Sequence, residues 1–187
     1  HPVQGYVGNG CACFPLQRLG FEVDAIHSVQ FSNHTGYPGW RGEVLQGGQL
    51  SALVEGLQAN SLLEGCTHLL TGYIGSASFL RAVLRTVHAL RAANAGPGAA
   101  LTFVGDPVLG DNGKLYVPEE LIAIYRDEVV PLASVLTPNQ VGACRACIHQ
   151  REVHGQGEQG ADRGVHGAVM VPAPGADHRS PRAAGLG

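Results

Sequence analysis

The strongest constraint on the fold is a regular alternation of short apolar segments with longer segments of helical periodicity. Leu50, Leu53, Val54 and Leu57 recur at the spacing of one helix face, and residues 76–94 repeat this pattern. Strand-like apolar segments lie around them, at residues 21–31, 67–73, 100–107 and 133–136. Alternation of this kind predicts an α/β fold with a mainly parallel sheet covered by helices.

The alternation ends at Gln140. Residues 141–187 are rich in glycine and charged residues and contain no aromatic residue. Their apolar residues, such as Val141, Val165 and Met170, are too scattered to define a helix or strand face. A segment of this composition does not bury enough apolar surface to offset the entropy of ordering. The sequence therefore predicts an α/β domain over 1–140 and an unrelated, disordered segment over 141–187 with few contacts to it.

Charge and hydropathy exclude several classes of partner. The formal net charge is −3, which gives no electrostatic reason to expect a nucleic acid or an anionic membrane as partner. No apolar run approaches the roughly 20 residues that span a bilayer, and the first residues do not resemble a secretory leader. Together with the cysteine content described next, these features predict a cytoplasmic protein.

The cysteines allow two interpretations. An odd number of them, five, in an α/β pattern is typical of reduced thiols. Cys144 and Cys147, with His149 and His154 nearby, have the residue types of a zinc site. A structural zinc site requires four converging ligands, and this segment has no apolar framework to hold them. An incidental Cys-x-x-Cys pair is therefore the favoured interpretation. The cysteines are Cys11, Cys13, Cys66, Cys144 and Cys147.

Polar residues follow three of the predicted strands. They are the segments "TGY" (71–73), "GDPVLGD" (105–111) and "TPN" (137–139). Ligands of open parallel sheets bind at the carboxyl ends of the strands. Asp106 and Asp111 suit a cation held against phosphate oxygens, although aspartates at such positions also stabilise turns.

Several stretches together resemble one family. "GYVGN", "FPLQRLGFEVDAIHSVQFSNHTGY", "LTGYIGSASFL", "DPVLGDNGKLYVPEEL" and "VVPLASVLTPNQ" occur in order over residues 5–140 and resemble the pyridoxal kinases of the ribokinase-like superfamily. The resemblance implies a three-layer α/β/α fold and a homodimer. It also implies ATP-dependent phosphorylation of the 5′-hydroxyl of pyridoxal, pyridoxine and pyridoxamine.

The resemblance also implies roles for individual residues. Thr35 would meet the pyridine ring of the substrate, in a pocket lined by Phe31, Tyr73 and Val7. ATP would be bound with a divalent metal, Mg²⁺ or Zn²⁺, and with a monovalent cation, K⁺ or Na⁺. The residues assigned to these groups are Asp106 and Thr137 for the monovalent cation, Asp111 for the divalent metal, and Tyr116 and Asn139 for the nucleotide.

The sequence departs from the family pattern in three places. The family has a strand before the equivalent of Gly5 inside its sheet, so we expect an incomplete sheet with an exposed strand edge. Gly142 stands where the family has an acidic residue. The family's later half, with its Gly-x-Gly-Asp motif, is also missing. That motif supplies anion-stabilising amides and the base aspartate, and it does not occur in these 187 residues, so no catalytic base is assigned here.

These departures leave an alternative function open: a catalytically inactive product that retains part of the substrate pocket or a dimer surface. Residues Val141 and Gly142 are what translation from an exon into an intron beginning GT-GG would produce. We therefore expect splice sites after codon 140 and before codon 5.

Overall fold

The computed structural model describes residues 1–96, 100–147 and 168–172, the last stretch by its backbone alone. Nine strands and six α-helices are described. The strands are β1 (Asp24–Ile26), β2 (Val29–Phe31), β3 (Gly42–Val44), β4 (Cys66–Thr71), β5 (Thr102–Gly105), β6 (Gly110–Asp111), β7 (Lys114–Leu115), β8 (Val135–Leu136) and β9 (Ala168–Pro172). The helices are α1 (Asn9–Arg18), α2 (Gly47–Ala59), α3 (Ala77–Ala93), α4 (Glu120–Ile124), α5 (Val130–Leu132) and α6 (Gln140–Gly142), with π-helical turns at Tyr125–Val129 and Ala143–Cys147.

The main sheet has five strands in the order β1-β9-β4-β5-β8. β4 pairs in parallel with β5, and β5 with β8. β9 is antiparallel to both of its neighbours, so β1 runs in the same direction as β4. Four of the five strands thus share one direction, and the predicted α/β class with a mainly parallel sheet is confirmed.

The helices begin where local chemistry favours it. The hydroxyl of Ser76 accepts a hydrogen bond from the amide of Phe79 at 3.3 Å and caps α3. Gln46 and Gln49 form a reciprocal capping box at the start of α2, in which the amide of Gln46 donates to Oε1 of Gln49 at 2.8 Å. Gly20 follows α1 with a φ of 89°, the left-handed conformation that glycine adopts most readily.

One buried cluster joins the helices to the sheet. It contains the apolar stripe of α3 together with residues of α2, β4, β5 and α4. Leu69 and Phe103, on adjacent strands, and Val87 on α3 are fully buried. Each buried side chain of this kind contributes roughly 1.5–3 kcal/mol by its removal from water, so this cluster holds the carboxyl ends of β4 and β5 in place.

The segment 21–31, predicted as one strand, divides into two. β1 joins the main sheet, whereas β2 pairs with β3 in a separate two-stranded sheet. A second hairpin, β6–β7, turns at Asn112 and Gly113, whose φ angles are 49° and 77°. Positive φ at both central residues is the type I′ geometry that Asn-Gly favours.

The structure corrects the expectation for the C-terminal segment at residues 168–172. We expected few contacts with the body, but β9 lies inside the main sheet and pairs with both β1 and β4. A short strand flanked by partners on both sides needs no alternating pattern, so the scattered apolar residues did not reveal it. Residues 148–167 and 173–187 lie outside the described residues, as do His149 and His154 of the zinc interpretation.

We expected an exposed strand edge inside the sheet, but β9 pairs along that edge. Ala168, Val169 and Met170 each have a partner on β1 and another on β4. The position between these two parallel strands is therefore filled by a segment of the chain itself.

Candidate functional site

The carboxyl ends of three parallel strands meet at one edge of the main sheet. The amide of Asp106, directly after β5, donates to the carbonyl of Thr71 at the end of β4, at 3.1 Å. The amide of Thr137, directly after β8, donates to the carbonyl of Gly105 at 3.0 Å. These bonds bring Asp106 and Thr137 to the same edge, where ligands of open α/β sheets bind.

Asn139 connects this edge to the β6–β7 hairpin. Its side-chain oxygen accepts a hydrogen bond from the amide of Gly142 at 2.9 Å and caps α6, while its Nδ2 donates to the carbonyl of Gly110 at 2.8 Å. Asp111, the next residue on β6, accepts from the amide of Asn112 at 2.8 Å and from its side chain at 3.3 Å. Asp111 thus stabilises the turn, as one interpretation of the sequence held, and it is only partly buried.

Gly142 allows α6 to approach the segment that follows β5. A Cβ atom placed on Gly142 would overlap the carbonyl oxygen of Pro107 and would lie 3.2 Å from Pro138. Gly142 is buried, so no space exists for the acidic side chain of the family pattern. This close contact holds Gly142, whose amide donates to Asn139, against the residue that follows Asp106.

Two aromatic pairs lie on the side assigned to the substrate. The rings of Tyr73 and Tyr116 are 6.2 Å apart between centroids, and those of Phe31 and Trp40 are 4.4 Å apart. The hydroxyl of Ser28 donates to the carbonyl of Tyr73 at 2.9 Å and so ties the start of β2 to the end of β4.

The other two predicted substrate residues lie in less enclosed positions. Thr35 is exposed in the loop between β2 and β3, and Val7 is partly buried just before α1. Phe31, by contrast, is buried at the end of β2. The hydrogen bonds and ring contacts therefore join Asp106, Thr137, Asn139 and the hairpin of Asp111 into one region, and link Tyr73 to Tyr116. Thr35 and Val7 are linked to this region by the course of the chain.

Tyr125 is a residue that sequence reasoning did not assign to the site. It is fully buried, and among the residues that the structure describes its hydroxyl has no hydrogen-bond partner. Burial raises its pKa, and the negative charge of Asp106 raises it further, so the hydroxyl stays protonated. Tyr125 begins a π-helical turn, a distortion often found at functional sites. The sequence showed it only as part of an apolar helix stripe.

The donor atoms at this edge are suited to hard cations. Among the described residues, no group of three or more His, Cys, Asp and Glu side chains could hold a metal ion. The region offers the carboxylates of Asp106 and Asp111 together with hydroxyl and carbonyl oxygens. Oxygen ligands of this kind suit Mg²⁺ or K⁺, whereas zinc prefers nitrogen and sulfur ligands. Mg²⁺ commonly needs only one or two carboxylates when phosphate oxygens complete its shell. The residues therefore fit a cation that is bound together with a nucleotide.

Comparison with known proteins shows which family this chain resembles. No family model matches the chain. The pyridoxal kinase of Arabidopsis thaliana is 63% identical over 143 residues, which cover 76% of this chain and 45% of that protein. The pyridoxal kinase of Homo sapiens is 48% identical over 162 residues, covering 84% of this chain and 50% of that protein. This chain is similar to pyridoxal kinases over most of its length. It spans about half the length of the curated relatives that it matches.

Solved structures give the same result. The pyridoxal kinase of Leishmania donovani in complex with ADP and pyridoxamine matches with a TM-score of 0.75 and 42% identity, over 79% of this chain and 52% of that chain. The pyridoxal kinase of Trypanosoma brucei matches with a TM-score of 0.69 and 38% identity, over 78% of this chain and 49% of that chain. The likeness to pyridoxal kinases and the incomplete ribokinase-like fold are thus confirmed. Within the described ranges, no helix is long and apolar enough to cross a membrane.

Proposed function

We propose that this chain carries the substrate-binding and cation-nucleotide-binding residues of a pyridoxal kinase. The reaction would be ATP-dependent phosphorylation of the 5′-hydroxyl of pyridoxal and related forms of vitamin B6. The observation that carries the proposal is the convergence of Asp106, Thr137 and Asn139 at the carboxyl ends of the strands. The likeness to kinases solved with ADP and pyridoxamine supports both ligands.

The proposed division of roles is the one that the resemblance to pyridoxal kinases implies. Asp106 and Thr137 would bind the monovalent cation, and Asp111 would bind the divalent metal that accompanies ATP. Asn139 and Tyr116 would contact the nucleotide. Phosphoryl transfer depends chiefly on positioning and charge neutralisation. A region of carboxylate and backbone oxygens at one sheet edge supplies the ligands for the cations that neutralise that charge.

Tyr73 would contact the pyridine ring of the substrate, together with Phe31, Thr35 and Val7. Its ring lies next to that of Tyr116, so the substrate and the nucleotide would bind on adjacent sides of this aromatic pair. A homodimer, as implied by the family, and a location in the cytoplasm remain parts of the proposal.

Binding and turnover are tested separately, because the resemblance assigns the base to a Gly-x-Gly-Asp motif that these 187 residues do not contain. Calorimetry on the whole chain measures pyridoxal and Mg·ADP binding. Asp106→Asn and Asp111→Asn should weaken Mg·ADP binding by about ten-fold or more, the order expected for losing one charge-assisted contact. They should change pyridoxal binding much less, and Tyr73→Ala should show the reverse preference.

Asp127→Asn serves as a matched control, because Asp127 is exposed and paired with Arg126 on the surface. Equal loss of both ligands in the Asp106 and Asp111 variants would contradict the division of roles. Failure of the unaltered chain to bind either ligand would contradict the proposed function itself.

A further inference from the structure

β9 is held between two strands that have no direct pairing with each other. β1 runs parallel to β4, and within the described ranges β9 is the one strand of the main sheet with which β1 pairs. Met170 lies between Asp24 and Leu69, and Val169 lies between Ala25 and Leu70. With neighbouring strands about 4.8 Å apart, β1 and β4 flank a gap of one strand's width.

The two strands that flank this gap, β1 and β4, are also connected to each other and to the rest of the fold without β9. Beyond β1, the hydroxyl of Ser28 donates to the carbonyl of Tyr73, two residues beyond β4, at 2.9 Å. Asn9 donates to the carbonyl of Ile26 at 3.5 Å and to His27 at 2.7 Å, which ties the end of β1 to α1. β4 is supported on its other side by β5 and by the buried cluster. Removal of β9 therefore leaves β1 and β4 each held by other parts of the fold.

The gap presents unpaired backbone groups once it is empty. Central strands with free amides and carbonyls bind an extended segment mainly through the backbone, with modest demands on side chains. Residues 168–172, Ala-Val-Met-Val-Pro, are apolar and include two β-branched valines. Pro172 cannot donate a backbone hydrogen bond, and it lies at the end of the strand, beyond the residues paired with β1.

We propose that the gap between β1 and β4 is a strand-acceptor site, which residues 168–172 fill in cis and which binds the same extended apolar segment when a second copy of the chain supplies it. Residues 148–167 separate Cys147 from β9 and span at most about 70 Å. This reach lets the segment enter the gap of its own chain or that of a neighbour. Within one chain, residues 168–172 have a high effective concentration at the gap and outcompete a segment from a second molecule. Binding of a second segment therefore becomes measurable when the chain's own segment is kept out of the gap.

The first experiment uses the full chain with Met170→Pro, and Met170→Leu as the matched control. Proline removes a backbone donor at a position paired on both sides, whereas leucine keeps the backbone intact. By hydrogen exchange, the proline variant should lose at least ten-fold protection at β1 and at the amides of β4 that point away from β5. The amides of α3 should stay protected in both variants.

The second experiment supplies the strand in trans. A fluorescent peptide of residues 166–174 should bind the Met170→Pro chain and restore protection to β4. The unaltered chain should bind it at least ten-fold more weakly, because its own segment competes. A peptide carrying proline at position 170 is the control and should not bind. Alkylation of Cys66, which lies opposite Pro172 in the register and is buried, should be fast in the opened variant and slow again when the peptide is bound.

Each contrary outcome overturns the proposal. If the Met170→Pro chain keeps full protection at β4, residues 168–172 do not occupy the gap. If α3 also loses protection, the fold around β1 and β4 does not persist without β9, and the gap is not an acceptor site. If the opened chain ignores the peptide, or binds the proline peptide equally well, the recognition is not that of a strand.

Discussion

Tyr125→Phe should make the chain more stable, although it deletes a hydroxyl group. The hydroxyl is fully buried and has no hydrogen-bond partner within the described part of the chain. A buried donor without a partner costs about 1–3 kcal/mol, since its hydrogen bonds to water are lost and not replaced. Phenylalanine keeps the ring packing and removes this cost, so the free energy of unfolding should rise by about 1–2 kcal/mol.

Urea denaturation of the ligand-free chain measures this change. With an m-value of about 2 kcal/mol/M, the midpoint should move up by about 0.5–1 M. Tyr6→Phe is the control, because Tyr6 is 92% exposed and its hydroxyl is satisfied by water. Its effect should stay within about 0.5 kcal/mol.

A destabilisation of about 1 kcal/mol or more by Tyr125→Phe, which is the size of one hydrogen bond, would refute this reasoning. It would mean that the hydroxyl is paired in solution, for example through a buried water bound to Asp106. The stabilising result would instead identify Tyr125 as a buried donor without a partner, whose pKa is raised by burial and by the negative charge of Asp106.

Three further predictions concern other parts of the chain. Gly142→Glu, which introduces the family's acidic residue, should destabilise the chain by about 1–3 kcal/mol or more because its Cβ overlaps the Pro107 carbonyl. Gly142→Ala should show most of this loss in urea denaturation, and unchanged stability would contradict the close contact. Burial and, to a smaller extent, the charge of Asp24 together raise the pKa of the Cys66 thiol to about 11. The folded chain thus holds this proton more tightly than the unfolded chain, whose thiol has a pKa near 9. The stability from this group is complete below about pH 9 and is lost as pH rises through about 11, a loss that Cys66→Ala should reduce. Finally, the chain of 187 residues should form no pyridoxal phosphate from ATP and pyridoxal above a no-enzyme control, since general-base assistance alone contributes roughly 10²–10⁴-fold. Turnover that persists after repurification would require a base within these residues.

The elements with strong local signals were predictable from the sequence. The apolar stripe predicted a helix over 76–94, and the structure has α3 at Ala77–Ala93. Asp-Asn-Gly is a strong turn signal in any sequence, and the structure has its hairpin turn at Asn112 and Gly113. At the candidate site, the residues after β5 and β8 could be placed at one edge because parallel strands align their carboxyl ends. Their ligand roles stay predictions.

The sequence by itself determined the α/β class, the positions of the long helices, and the convergence of Asp106, Thr137 and Asn139. Each of these follows from periodicity or from strand ends, which are local properties of the chain. Only the tertiary structure decided that Tyr125 is a buried hydroxyl at the site, that Gly142 is needed against Pro107, and that residues 168–172 enter the sheet. These facts depend on contacts between residues far apart in the sequence. Five apolar residues gain the pairing of a central strand only when β1 and β4 already flank a gap that fits them.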